Sequence, residues 1–384
     1  MKLTKRILSL LMLTAMLVSV LPTALADGGK SVKIAMMMWD NGPQQNATMN
    51  YCKALEQEIP ELSFMYGQLD SSNSDANVAA CQAMIAQGCN GIILYNQTGA
   101  LDTIVEMASE AGVYVGCYLS DPDDSLKALI NDNPYYVGAA MDGPTDTASI
   151  GRYAAQIAIE NGYRHVGSVS FPLDIMAPMK VMVEAFYAAI EEHNATVAEA
   201  ERIEVYANEE VWFTQVDASY FANYPEMDAV FGSGGGVLSV YPTIVQANLT
   251  DKVKLISTGM LYDDDTIAAI ENGNIVLAST SSIEQLLYPV ALIFNAVQGK
   301  TYPDLPAVPE TRGCGIIYFR NSEDIAAVKN HSYLYASSYD EYDRLMVTPE
   351  QAKQYLTLYN AEATYADLAA MLETLNVETL KNMD

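Results

Sequence analysis

One recurring unit constrains the fold more than any other feature: an amphipathic helical segment, a glycine, then a short apolar run. The segment 76–87 stops at Gly88 and leads into Gly91-Ile-Ile-Leu-Tyr95. The segment 101–111 stops at Gly112 before Val113-Tyr-Val-Gly-Cys-Tyr118, and 149–161 stops at Gly162 before His165-Val-Gly-Ser-Val-Ser-Phe171. A fourth, 266–272, stops at Gly273 before Ile275-Val-Leu-Ala278. Glycine accepts the left-handed backbone just past a helix, so each one marks a C-terminus. Runs that are apolar on both faces belong in parallel sheets covered on both sides by helices. The alternation predicts an α/β protein with doubly wound, parallel sheets.

The series begins with Val32-Lys-Ile-Ala-Met-Met-Met38, a helix over 47–59 and a strand over 62–69. A Gly/Pro-containing pause around 139–144 ends the first set of units, and a second set runs to about 281. The helix 283–298, closed by Gly299, begins another passage between the sets. After it come a proline-containing extended stretch (301–312) and a terminal strand (315–319). Beyond Arg320 lies a tyrosine-rich tail. There Thr348-Pro-Glu-Gln351 forms a capping box with proline in the first helical position, and one or two helices are expected to about Leu380. The spacing of Tyr355, Leu358, Ala361 and Tyr365 points to a helix that packs on the body.

At the other end, Lys2, Lys5 and Arg6 precede an apolar run over 7–21, then Pro22 and Ala24-Leu25-Ala26. That is the layout of a secretory signal peptide over 1–26, too short to be read as a membrane span. The first cysteine is Cys52, so no thiol stands at the cleavage point to carry a lipid. The expectation is an exported chain, periplasmic or extracellular, without an anchor. Cys52, Cys81, Cys89, Cys117 and Cys314 are scattered through helix and strand interiors, which reads as buried free thiols rather than a disulfide framework or a metal site. The net charge of −28 argues against nucleic acid and anionic lipid as partners.

A catalytic constellation is not evident. His165, His193 and His331 have neither metal-ligand spacing nor a nucleophile partner. Gly232-Ser-Gly-Gly-Gly236 follows the strand 229–231 but lacks the lysine of a phosphate loop, so it reads as a strand-to-helix turn beside a cleft. Asp121-Pro-Asp-Asp124 and Asp263-Asp-Asp265 lack calcium-loop spacing. The chain is therefore expected not to be an enzyme and to need no cofactor or metal; a hydrolase built on carboxylates is the alternative of that class. Open α/β sheets collect ligands at the carboxyl ends of their strands. Those ends supply Trp39, Asp40, Asn41, Gln44 and Gln45, then Asn96 and Gln97, then Tyr118 and Asp121. The second set supplies Phe171, Asp174, Ser233, Tyr262 and Asp263. Rings stack on a sugar or base while amides and carboxylates take its hydroxyls or ring nitrogens.

Five stretches carry a family resemblance: Asp70-Ser-Ser-Asn-Ser-Asp75, Ala86-Gln-Gly-Cys-Asn-Gly-Ile-Ile93, Ala108-Ser-Glu-Ala-Gly-Val-Tyr-Val115, Met227-Asp-Ala-Val-Phe231 and Ile267-Ala-Ala-Ile-Glu-Asn-Gly273. In this order, over roughly 32–319, they resemble the type I periplasmic binding proteins of sugar importers. The resemblance implies two similar lobes, interlobe crossings near 139–144, 279–283 and 308–314, and hinge closure on a ligand. It divides the chain into a first lobe (27–140 and 283–310), a second lobe (141–282 and 311–320) and a helical extension (321–384). It further implies a monomer that delivers a sugar or sugar-like solute to the membrane permease of an ABC importer. A ligand-sensing subunit for a membrane histidine kinase and a nucleoside binder are the alternatives. Several sugar-gripping positions depart from the pattern. Gln44 and Gln45 stand where ribose-type members carry aromatics, Leu119-Ser120 replaces Asp-Arg, and Met182, with Lys180 nearby, replaces an arginine. Gly234-Gly235 stands in place of Asn-Asp, and Leu261 in place of an aspartate. The fold is expected to carry over, with Lys180 as a further ligand contact, but not the sugar specificity.

Overall fold

A computed structural model describes residues 29–39, 42–70, 73–95, 99–141, 143–174, 176–212, 214–259, 263–329 and 345–383. The leader lies outside the described residues. The first lobe runs β1 (Val32–Met38), α1 (Pro43–Glu58), β2 (Leu62–Gln68), α2 (Ser74–Ala86), β3 (Gly91–Tyr95), α3 (Leu101–Glu110), β4 (Tyr114–Tyr118), α4 (Asp124–Ile130) and β5 (Tyr136–Ala140). The joint glycines Gly88, Gly112, Gly162 and Gly273 have φ of 84°, 71°, 72° and 68°, the left-handed backbone expected of them.

The second lobe repeats the plan. It contains α5 (Ala148–Glu160), β6 (His165–Ser170), α6 (Ala177–Thr196), β7 (Glu204–Glu210), α7 (Ala218–Asn223), β8 (Ala229–Ser233), α8 (Gly236–Ser239), α9 (Tyr241–Gln246), β9 (Lys254–Ser257), α10 (Asp264–Glu271) and β10 (Ile275–Thr280). A 3-10 turn (Ile283–Leu286) and α11 (Leu287–Gln298) then return to the first lobe, where α11 packs on β4 and β5. β11 (Thr311–Arg312) pairs with β5, and β12 (Ile317–Phe319) crosses back to pair with β10. The two sheets have matching orders, β11-β5-β4-β3-β1-β2 and β12-β10-β9-β8-β6-β7.

Two expectations are corrected. Thr311 and Arg312 belong to the first sheet, in register with Ala139 and Ala140, and not to the second lobe. β12 is antiparallel to β10, with Thr280 opposite Ile317. The reason is the connection. The four residues 313–316 leave the carboxyl end of β11 and reach the second sheet at the carboxyl end of β10, and a segment that short cannot make the crossover a parallel strand needs.

The same argument orients the lobes. The crossings 141–147, 281–282 and 313–316 all meet the sheets at carboxyl ends of strands. At no more than about 3.6 Å per residue, such links hold the two carboxyl edges facing one another. The first and third crossings are tied together: Cys314 N donates to Gly143 O (2.8 Å) and Gly313 N to Thr145 Oγ1 (3.2 Å).

Each lobe has a core of its own. Ala35, Met37, Ile92, Leu94 and Ile104 fill one, and Ala154, Phe186, Phe231 and Ile256 the other, where the rings of Phe186 and Phe231 stack 4.8 Å apart. A third apolar cluster runs from the outer face of the first sheet through α11 to the second lobe, and takes in Leu356, Leu368, Leu372 and Leu380 of the extension. That extension comprises α12 (Ser322–Lys329), α13 (Pro349–Ala352), α14 (Tyr365–Glu373) and α15 (Val377–Lys381). Its capping box at Thr348 and Gln351 forms as expected. No continuous helix joins Tyr355 to Tyr365, because residues 356–364 leave the helix and lie over the first lobe, with Ala361 exposed. No described helix is long and apolar enough to cross a membrane.

Candidate functional site

The facing carboxyl edges form the candidate site. On the first lobe, Trp39 ends β1 half-buried and packs against two of the apolar clusters. Its Nε1 is buried and has no hydrogen-bond partner among the described residues. Proline at the first position starts α1 without the orphan N–H it would otherwise carry. One turn of α1 then presents Gln44, half-buried, and Gln45, buried. The 3-10 turn 283–286, which follows the second crossing, packs against α1. Within that turn Gln285 is wholly buried, and neither its amide nitrogen nor its amide oxygen has a partner among the described residues.

On the second lobe, β6 and β8 pair with Ser170 opposite Ser233, which sets Phe171 beside Gly234. Ser233 is 2% exposed, and its hydroxyl also lacks a described partner. The turn that follows needs glycine: Gly234 and Gly235 have φ of 82° and 110°, and a Cβ on Gly234 would lie 2.2 Å from the Met179 methyl and 3.4 Å from the Phe171 ring. Gly234 N donates to Thr258 Oγ1 (2.6 Å) and Gly235 N to Thr258 O (2.9 Å), so the ends of β8 and β9 are held as one edge. Buried polar atoms without partners are rare and costly. Three of them, Trp39 Nε1, Ser233 Oγ and the Gln285 amide, lie at or beside the facing edges and the second crossing, while others, such as Asn131 Oδ1, lie away from these edges near the amino end of β5.

Other expected contacts fall elsewhere. Asp121 is drawn into an ion pair with Lys127 (2.9 Å), and Asp263 caps α10, accepting from Thr266 N (2.8 Å) and Thr266 Oγ1 (3.1 Å). Both carboxylates have structural duties, as aspartates before helices commonly do. Tyr118 is fully buried, its ring edge-on to Tyr95 at 5.4 Å, so it backs the rim rather than forming its surface. Lys180 stands exposed in the first turn of α6. Asp40, Asn41, Asn96, Gln97 and Tyr262 lie outside the described residues. Gln285 and Met179, beside the facing edges, were not singled out by the sequence; nothing in the run 281–287 marks which of its polar side chains turns inward.

Neither described histidine lies at the facing edges. His165 begins β6, five residues before the Ser170 that pairs with Ser233, about 16 Å along the strand. It faces the Tyr206 hydroxyl (3.1 Å) and Glu204 (3.4 Å), while His193 lies in the last turn of α6. Among the described residues no group of three His, Cys, Asp or Glu is placed to hold a metal. A cavity of about 740 Å3 lies between α5, β12 and α15, reaching Pro144 of the first crossing and Cys314 of the third, and lined also by Arg152, Tyr318, Arg320 and Lys381. Its cations are already neutralised, Arg152 by Asp146, Arg320 by Glu160 (3.2 Å) and Lys381 by Asp324 (2.5 Å). The facing edges, which carry Trp39, Gln44 and Phe171, are the better candidate.

Two α/β lobes of matching strand order, joined by three short crossings with their carboxyl edges face to face, define a hinged, cleft-binding class of protein. Residues 34–301 match the family model described as periplasmic binding protein domain, and the chain belongs to that family. No curated protein sequence matches it. Among solved structures it is similar to GanP, a glucose-galactose binding protein of Geobacillus stearothermophilus (18% identity, 76% of this chain and 98% of that one, TM-score 0.55). It is also similar to the periplasmic ribose ABC transporter of Conexibacter woesei (15% identity, 83% and 100%, TM-score 0.59). A third is an ABC transporter periplasmic solute binding protein of Actinobacillus succinogenes with bound D-allose (12% identity, 77% and 100%, TM-score 0.60). At these identities the likeness is one of fold.

Proposed function

We propose that this chain is the exported solute-binding component of an ABC importer, and that it binds a carbohydrate or a similar polar ring compound between its lobes, without catalysis. The observation that carries the reading is the geometry of the fold: two lobes of matching strand order whose carboxyl edges face across three short crossings, with Trp39, Gln44, Phe171 and the Gly234-Gly235 turn on those edges. The described rim groups include rings, amides and hydroxyls; Asp121 and Asp263 are engaged in structural contacts, and Asp174 is an exposed carboxylate on the second rim. The mix of rings, amides and hydroxyls suits a polar, hydroxyl-rich solute. Family membership and neighbours whose names speak of ribose, glucose-galactose and D-allose support the same solute class. The leader over 1–26 supports export, and a membrane permease is the partner such a role requires.

The test is a thermal-shift screen of the purified protein against monosaccharides, with nucleosides as the comparison. A solute at a hundredfold its Kd stabilises by about 2.7 kcal/mol and so raises Tm. A panel in which no sugar and no nucleoside moves Tm would remove the proposal; a response confined to nucleosides would move it to that class.

A further inference from the structure

The described part of the extension beyond residue 344 touches both lobes and lies at or beside two of the three crossings. On the first lobe, Tyr51 of α1 donates its hydroxyl to Val347 O (3.1 Å), and Lys353 pairs with Glu58 at the end of α1. Asn295 of α11 donates to Tyr355 O (3.1 Å) and accepts from Thr357 N (2.9 Å). Just after the second crossing, Met346 N donates to Glu284 Oε1 (2.8 Å). On the first lobe, just before the third crossing, the Tyr365 hydroxyl donates to Glu310 Oε2 (2.6 Å) and accepts from Arg312 Nε (3.2 Å); at that crossing Gly315 N donates to Leu372 O (2.8 Å). The chain then passes to the second lobe. There α15 packs on α12 and β12, Val377 and Leu380 are buried, and Lys381 reaches Asp324 at 2.5 Å.

A hinge opens when a few crossing residues absorb the change in φ and ψ while the lobes move as bodies. A segment fastened to both bodies is a further link between them. It has to bend at its own joint, residues 374–376 between α14 and α15, or let go at one end. The grip on the first lobe spreads from Val347 to Tyr365; the grip on the second is the five-residue α15. The weaker end is therefore α15. We propose that this extension is a strap that limits how far the lobes open, with α15 as its releasable end. It lies beyond the family match, which stops at residue 301. The inference rests on the hinge reading of the three crossings and not on which solute is bound.

Pulsed dipolar spectroscopy between spin labels at Asp124→Cys on the first lobe and Glu192→Cys on the second measures the opening directly. Both sites are exposed, whereas the five native thiols are buried. Two variants loosen the strap by different routes. Lys381→Met removes the ion pair to Asp324. Gly315→Ala puts a Cβ 2.5 Å from Leu375 O, which pushes the strap off the third crossing. Circular dichroism and Tm establish that each is folded. The expected result is a solute-free distribution that broadens in both, with its mean lengthened by more than about 2 Å, the scale of a domain rearrangement. Folded variants that reproduce the wild-type distribution overturn the strap. A second arm adds D-allose, D-arabinose or D-tagatose to the wild-type pair. If these sugars shorten the distance while the variants change nothing, the strap fails and the hinge stands. If no sugar moves it but the variants lengthen it, the strap stands and the solute reading weakens.

Discussion

Leaving a buried amide without a partner costs about 1–3 kcal/mol, which makes Gln285 a test of function at a single residue. If its amide awaits a solute, Gln285→Leu holds or raises the stability of the solute-free protein, because an orphan group is replaced by an apolar one of similar size. The same change lowers sugar affinity by about tenfold or more, the worth of about 1.4 kcal/mol. Titration calorimetry and urea unfolding read the two effects separately, and a large loss of stability with unchanged affinity assigns Gln285 to structure alone. The thiols make a second case. Burial raises Cys81 and Cys117 to about 12 and Cys89 to about 11, from an ordinary value of 9.0. The folded state thus keeps protons that the unfolded chain releases. Their stabilising contribution is whole below pH 9 and declines as the pH rises from 9 toward the folded values. The unfolding midpoint should fall across that window, and a thiol reagent near neutral pH should find no reactive cysteine until the protein is unfolded. Rapid labelling of the native protein contradicts this. The buried thiols were legible in the sequence, as scattered cysteines in apolar segments. Gln285 was not, since its inward turn is set by packing against α1, far away in the chain.

Among the elements, those built from a helix, a glycine and an apolar run were the most legible, because each carries its own stop signal and its own burial pattern. β7 escaped notice for the opposite reason. It is the edge strand of the second sheet, rich in exposed glutamates, and has no apolar run to announce it. The direction of β12 is a property of the connection before it and not of its own residues. The extension shows the limit of spacing as a guide: Tyr355 and Tyr365 are buried as their pattern implies, yet in separate elements. What fixes the stretch between them is Asn295 of α11, itself 1% exposed. Asn295→Ala leaves Thr357 N–H without its acceptor, while Tyr355 C=O keeps the Tyr302 hydroxyl (2.5 Å), and should cost about 1–3 kcal/mol in urea unfolding. A change within about half a kcal/mol would mean that water serves the Thr357 N–H equally well.

For the molecule as a whole, the alternation of elements gave two doubly wound sheets, and the pause near 139–144 located the first passage between them. Facing carboxyl edges follow from the shortness of the crossings. The exact chemistry of the rims does not, because the departures at Gln44, Gln45, Gly234 and Gly235 remove the groups by which a particular sugar would be read. The account therefore rests on shape change: a solute that binds at both rims draws them together. Small-angle scattering, with and without a sugar that raises Tm, measures this most directly. The radius of gyration should fall on saturation with that sugar. If Tm rises while the scattering curve is unchanged, the sugar is bound at a place that does not bridge the lobes, and the cleft account is wrong.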